Sequence, residues 1–163
     1  MRKIFSILSI LPLLFLASAC KKSFLKETPT TFYTKDGAFG TDGGAKSSLI
    51  GLYSTIAGYD YFGTGYIMLT SEASGSFFSP HAVSKAVAEL KVEANSYWIY
   101  MVFRQAFTGI DQANTIIANL PNSKVSSSVS DNVLGQTYFI RAILYFNLVR
   151  MWVGVPLYLT PAN

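Results

Sequence analysis

Apolar residues recur at helical spacing in three stretches of the chain, and each stretch predicts an α-helix. The longest begins near Asp131, runs to about Trp152 and is apolar nearly all round, which is typical of a helix enclosed by other helices. Ser130 or Asp131 can cap its first turn, while Gly154 and then Pro156 predict its end. One face carries Leu134, Tyr138, Ala142, Tyr145, Val149 and Trp152, and much of the remaining surface carries Phe139, Ile143, Phe146 and Met151.

Two further helices complete the predicted fold. Asp42 is the expected cap of a first helix over Ala45 to Ala57, and a second long helix is expected from about Val92 to Leu120. The serine-rich linker from Asn122 to Ser130 is expected to be exposed and mobile, with the two long helices packed antiparallel on either side of it. The pattern predicts an all-α fold of tetratricopeptide-like helical hairpins, which is an α-solenoid.

The other stretches are less regular. Lys35 to Gly44 is rich in glycine and is predicted to be a loop, because no strand precedes it and no Gly-Lys-Ser/Thr follows, as a phosphate-binding motif requires. Gly58 to Tyr66 and the residues that follow fit either short helical turns or loop. Arg141 and Arg150 interrupt the longest apolar stretch, which is therefore too short to span a membrane.

Composition allows one domain with a sizeable core, since 50% of the 163 residues are hydrophobic. The formal net charge of +4 falls to +2 once Arg2 and Lys3 are removed with the N-terminal segment described next. The chain has no basic stripe of the kind that nucleic-acid binding requires, so no nucleic-acid partner is expected. One cysteine cannot form an intrachain disulfide.

The first 19 residues have the order of a secretory signal peptide: a basic head, a short apolar run and then small residues. Cys20 follows at once, and the junction resembles a bacterial lipoprotein box, which implies cleavage between Ala19 and Cys20 and acylation of the cysteine, for example with palmitate. Ala17 stands where such a box usually has leucine. An ordinary signal peptide with a chance cysteine, or a simple anchor helix, remains the alternative. Several acyl chains would hold the protein to a bilayer.

A wider resemblance rests on three motifs. Cys20 is followed by a tether containing Leu-Lys-Glu-Thr-Pro from Leu25, the predicted second helix contains Ile-Asp-Gln-Ala-Asn-Thr-Ile-Ile from Ile110, and the third contains Tyr-Phe-Ile-Arg-Ala-Ile-Leu-Tyr-Phe-Asn-Leu-Val-Arg from Tyr138. Gly-Val-Pro-Leu closes the last run at residues 154–157. Together they resemble the N-terminal part of the SusD/RagB family of outer-membrane nutrient-binding lipoproteins. Asn147 departs from a frequent aspartate.

This resemblance implies an organisation and a function. Residues 1–19 are the signal peptide, 20–44 an extended tether and loop, and 45–163 a partial SusD-like helical domain. Family membership implies a surface-exposed protein, held in the outer membrane by lipid on Cys20, that pairs with a TonB-dependent (SusC-like) transporter and captures oligosaccharides or peptides without catalysis. No cofactor is implied. The alternatives are a lipid-anchored polysaccharide or peptide hydrolase that lacks its catalytic region, and a helical-repeat scaffold without a ligand.

The candidate chemistry is limited. His81 is the only histidine, so a zinc or iron site is not expected, and it is interpreted as an ordinary loop residue. Glu72, Glu89, Glu93, Asp60 and Asp111 could form a catalytic acid pair by residue type alone. Trp98, with Tyr97 and Tyr100, is the predicted ligand contact, because sugars stack on aromatic rings; core packing is the alternative use of these rings. Arg104, Arg141 and Arg150 are expected to pair with buried carboxylates or carbonyls.

Overall fold

The computed structural model describes residues 35–76 and 82–162. The predicted signal peptide, Cys20, the tether and His81 lie outside the described residues. The elements are, in order, α1 (Lys35–Phe39), α2 (Asp42–Ala57), a π-helical turn (Tyr59–Gly63), α3 (Gly65–Ile67), a second π-helical turn (Met68–Glu72), α4 (Ala82–Ala88), α5 (Tyr97–Asn119), a 3₁₀ turn (Leu120–Asn122) and α6 (Ser127–Trp152). The two described ranges contain no β-strand, so the all-α prediction is confirmed. The solenoid stays a prediction.

Helices α2, α5 and α6 form the core. Asn114 contacts Arg141 and Phe103 contacts Trp152, so residues early in α5 meet residues late in α6 and the two helices are antiparallel, as predicted. A Cβ atom on Gly109 of α5 would lie 2.9 Å from a methyl of Leu144, which shows how closely these helices approach. Between them lie fully buried side chains, among them Ala45, Leu52, Val102, Ala106, Ile110, Ala113, Val133, Leu144 and Leu148.

The expectation that other helices enclose α6 nearly all round was wrong. The side chains that this helix buries are Val133, Thr137, Ile140, Leu144, Asn147 and Leu148, whereas Tyr138 is 48% exposed and Val149 is 51% exposed. Leu134, Tyr145 and Trp152 are only partly buried. Because the helix itself carries apolar side chains on nearly every side, the spacing of these residues in the sequence does not show which side is buried.

The helix starts also differ from the prediction. Thr41, not Asp42, caps α2, since its hydroxyl accepts a hydrogen bond from the Gly44 amide at 3.1 Å. Asp42 instead accepts hydrogen bonds from the amide and hydroxyl of Ser126 at 2.8 and 2.7 Å. Ser126 is the N-cap of α6, so residues 127–130, which were predicted to be a mobile linker, are its first turn. One carboxylate therefore joins the N-termini of two helices.

The glycine-rich stretch before α2 is not a loop, as had been predicted. Residues Lys35–Phe39 form α1, and Gly44 lies in the first turn of α2. A Cβ atom on Gly44 would collide with the carbonyl oxygen of Gly37 and lie 2.7 Å from that of Ala38. Glycine is therefore needed here because two helices approach at main-chain distance.

Helix α6 ends at Val153 rather than at Gly154. Val153 has φ 63° and ψ −90°, and its amide donates to the Val149 carbonyl at 2.9 Å. Positive φ is strained for a β-branched residue, whereas the following Gly154 does not take a positive φ. The chain then leaves the helix, and residues 155–162 are non-helical, as the Gly-Val-Pro-Leu motif predicted.

The buried Tyr61, in the turn after α2, and the partly buried Tyr66, in α3, both bond to α6. The amide nitrogen of Asn147 donates to the Tyr61 hydroxyl at 3.2 Å, and its oxygen accepts from the Tyr66 hydroxyl at 3.0 Å. Tyr61 is 1% exposed, and this burial raises its pKa to about 12. The Asn147 amide thus bonds two tyrosine hydroxyl groups at once.

Candidate ligand-binding surface

The exposed aromatic residues of α5 lie on one side of its first turns. Tyr97 and Tyr100 are 53% and 57% exposed and stand three residues apart, so they share one helix face. Arg104 continues this face, with its guanidinium carbon 5.7 Å from the centre of the Tyr100 ring. Its Nη2 atom is 3.4 Å from an oxygen of Asp60, which comes from the turn after α2. Rings and an ion pair from two elements therefore meet at one surface.

Trp98 is placed differently from its two neighbours. Its side chain is 8% exposed and packs between Tyr59 and Tyr97, with ring centres 5.6 and 5.1 Å away. The tryptophan therefore supports the tyrosine rings from the core side, which was the alternative use expected for these aromatics. Of the predicted trio, Tyr97 and Tyr100 present their rings to solvent.

The aromatic face of α5 continues into an open groove of about 780 Å³ between this helix and the chain after α6. Grooves of this size suit a small ligand or a few units of a polymer. Tyr100, Arg104 and Phe107 line its α5 side, and Tyr158 lies 5.7 Å from Phe107, ring centre to ring centre. The sequence did not indicate that Tyr158 belongs here, because only the return of residues 155–162 onto α5 brings it close.

Of the other candidate acidic residues, Glu89 and Asp111 have structural partners, whereas the carboxylate oxygens of Glu72 have no hydrogen-bond partner among the described residues. Glu72 is fully buried, Glu89 forms ion pairs with Lys85 and Lys91, and Asp111 accepts a hydrogen bond from the Ala162 amide at 2.7 Å. Within residues 35–76 and 82–162, no three metal-binding side chains come together. No helix in these ranges is long and apolar enough to cross a membrane.

The three arginines differ in environment. Arg141 donates from Nη1 to the side-chain oxygen of Asn114 at 2.7 Å, and Asn114 is 1% exposed, so the expected pairing with a buried carbonyl is confirmed. Arg104 pairs with the partly exposed Asp60 at the surface. Arg150 is exposed and lies over the Phe146 ring at 5.0 Å, so its predicted pairing with a buried carboxylate or carbonyl was wrong.

Comparison with known proteins agrees with this architecture. Residues 46–163 match the model of the SusD-like family described as starch-binding and associating with the outer membrane. The chain belongs to the SusD-like family. SusD-like protein P25 of Formosa agariphila is 23% identical over 98% of the chain. The chain spans 32% of that relative's length. No solved structure matches.

The matched SusD-like model is described as starch-binding and associating with the outer membrane, and the match can be placed on the structure. The match begins at Lys46, within the first turns of α2, and includes α5, α6 and the segment after them. We call the surface formed by Tyr97, Tyr100, Arg104 and Asp60 the α5 surface. All four residues lie within the part of the chain that matches the SusD-like family.

Proposed function

We propose that this SusD-like chain is the N-terminal part of an outer-membrane lipoprotein that binds glycans and passes them to a TonB-dependent transporter. Its family is described as starch-binding, and the match to the family model covers nearly three quarters of the chain. The proposed ligand is an oligosaccharide that contacts the α5 surface.

One observation carries the glycan proposal: Tyr97 and Tyr100 are exposed side by side, next to the ion pair of Arg104 and Asp60. Exposed tyrosine rings offer flat apolar faces for the C–H side of a sugar. The guanidinium and carboxylate groups can donate to and accept from sugar hydroxyls. Since this pair carries both charges, the surface suits an uncharged sugar better than a strongly acidic one.

Titration of the full chain with malto-oligosaccharides tests this proposal. Tyr100→Ala should weaken binding by about tenfold, because it removes a stacking ring worth roughly 1 kcal/mol or more. Tyr138→Ala is the matched control, since Tyr138 is 48% exposed on α6, away from this surface, and should change nothing. Equal effects of the two substitutions, or no glycan binding by the wild-type chain, would contradict the proposal.

The lipid anchor rests on the sequence at Cys20. Cells fed a labelled fatty acid should transfer the label to the wild-type protein and not to Cys20→Ser. A Cys20→Ser protein that carried as much label as the wild type would exclude the anchor.

The proposed transporter partner is tested by purification from the native outer membrane, in which the transporter should be recovered with the wild-type protein. Repeated purification without a transporter would exclude the partner.

A further inference from the structure

Tyr158 is held by its main chain at both of its polar groups. The Tyr145 hydroxyl accepts a hydrogen bond from the Tyr158 amide at 2.7 Å and donates one to the Tyr158 carbonyl at 2.9 Å. The side-chain amide of Asn114 donates to the same carbonyl at 3.0 Å and to the carbonyl of Thr160 at 3.1 Å. These bonds fix the path of the backbone, and with it the place where the Tyr158 side chain begins.

The group that makes two of these bonds is itself fixed. Arg141 donates to the side-chain oxygen of Asn114 at 2.7 Å, and Asn114 is 1% exposed, so its amide nitrogen faces the segment. The neighbours of Tyr158 add little apolar burial, since Leu157 and Leu159 are 68% and 54% exposed. Hydrogen bonds to the main chain therefore decide where Tyr158 lies.

The resulting position puts the Tyr158 ring on the wall of the groove beside α5. Its centre is 5.7 Å from that of the Phe107 ring, with the two planes at 68°, and both residues line the groove of about 780 Å³. Tyr158 is nevertheless 56% exposed. More than half of this residue is therefore open to a ligand in the groove, as a stacking ring has to be.

The groove contains two separate aromatic sites. Tyr100 and Phe107 are seven residues apart on α5, so they share one face and lie about 10 Å apart along the helix axis. Tyr100 belongs to the α5 surface, whereas Tyr158 stands against Phe107 at the second site. Arg104 lies on the same face between the two sites, where its guanidinium can donate to hydroxyl groups.

We propose that Tyr158, positioned by Tyr145 and Asn114, is a second stacking ring of this groove and gives the chain a preference for oligosaccharides that reach from Tyr100 to Tyr158. This preference rests on the proposed glycan function and adds chain-length specificity to it. A disaccharide reaches one site only, because its two sugar rings are closer together than the roughly 10 Å between the sites. A longer chain reaches both.

Titration of the full chain with maltose and with maltohexaose tests the second ring. Tyr158→Ala should weaken the binding of maltohexaose by about fivefold, and that of maltose on the α5 surface by less than about twofold. Leu159→Ala is the matched control, because Leu159 is the similarly exposed neighbour and is not among the described residues that line the groove. It should bind both sugars as the wild type does. An equal loss for the two sugars, or no loss for maltohexaose, would overturn the proposal.

Tyr145→Phe tests the positioning, since it removes only the hydroxyl that bonds the main chain of Tyr158. Tyr145 is not among the described residues that line the groove. The substitution should weaken maltohexaose binding by about threefold in the wild-type chain and by less than about 1.5-fold in the Tyr158→Ala chain, because its effect passes through that ring. The same loss in both chains would overturn the positioning by Tyr145. Thermal unfolding checks that each variant is folded.

The same titrations separate this preference from the proposed function. If Tyr100→Ala weakens the binding of both sugars and Tyr158→Ala weakens neither, glycan binding stands and the second ring is excluded. If the wild-type chain binds neither sugar, the proposed function is overturned together with the chain-length preference. A loss confined to maltohexaose in Tyr158→Ala, and absent from Leu159→Ala, supports both.

Discussion

Glu72 is fully buried, and neither of its carboxylate oxygens has a hydrogen-bond partner among the described residues. It is the last residue of the second π-helical turn, three residues after the buried Leu69. A buried polar group without a partner costs free energy, since it gave up its bonds to water on folding.

We expect Glu72→Met to raise the free energy of unfolding by roughly 1–3 kcal/mol, because it removes an unpaired polar group and keeps a side chain of similar length. Chemical denaturation of the full chain measures this. Glu93→Met is the control, since Glu93 is exposed and its replacement should have little effect. A less stable Glu72→Met protein would mean that the carboxylate has a stabilising role.

Asp42 gives the stability a dependence on acid pH. The hydrogen bond from the Ser126 amide, followed by that from the Ser126 hydroxyl, lowers the pKa of Asp42 below its ordinary value of 3.8. Because the folded pKa is the lower one, the stabilisation is present above pH 3.8 and is lost as the pH falls through the folded pKa.

Thermal unfolding between about pH 6 and pH 2 should therefore show a stability advantage of the wild type over Asp42→Asn that shrinks below the ordinary pKa. Asn keeps an oxygen acceptor of the same reach but does not titrate. Parallel pH profiles of the two proteins would show that Asp42 does not contribute to the acid dependence.

The end of α6 offers a prediction about a whole helix. Val153 holds a positive φ of 63°, at which a β-branched side chain is strained. Val153→Gly should therefore stabilise the chain by about 1 kcal/mol, after the added freedom of glycine in the unfolded state is subtracted.

The same replacement within the helix is the control. Val149 lies inside α6 and is exposed, so Val149→Gly should destabilise by about 1 kcal/mol through helix propensity. Melting temperatures of the two variants should move in opposite directions. Movement in the same direction would mean that Val153 is not strained at this helix end.

For the molecule as a whole, the outer face of α6 is the notable surface. Phe139 and Phe146 are 63% and 60% exposed, and Val149, three residues after Phe146, is 51% exposed. Exposed apolar side chains on one side of a helix promote association.

We expect Phe139→Ser with Phe146→Ser to lower the self-association of the full chain without loss of helix content, since neither ring is part of the core. Sedimentation and circular dichroism measure the two quantities. Leu144→Ser is the contrasting change: Leu144 is fully buried, so this substitution should unfold the bundle. Unchanged self-association of the double variant would mean that another surface is responsible.

The sequence by itself determined the number and type of the long elements. Helix α5 has polar residues on one side, so its buried positions Val102, Ala106 and Ile110 could be predicted from their spacing. The non-helical chain after Gly154 followed from local residue patterns as well, because these signals act over only a few residues.

Tertiary structure alone decided the rest. Which face of α6 is buried, why Trp98 turns inward and how Gly44 lets α1 approach α2 depend on neighbouring helices rather than on nearby sequence. The contact between Asn114 and Tyr158 is the clearest case: the two residues are 44 residues apart, and their hydrogen bond exists only because α5 and α6 fold back on each other. A contact between distant residues carries no local pattern, since its energy is realised only after the helices have packed.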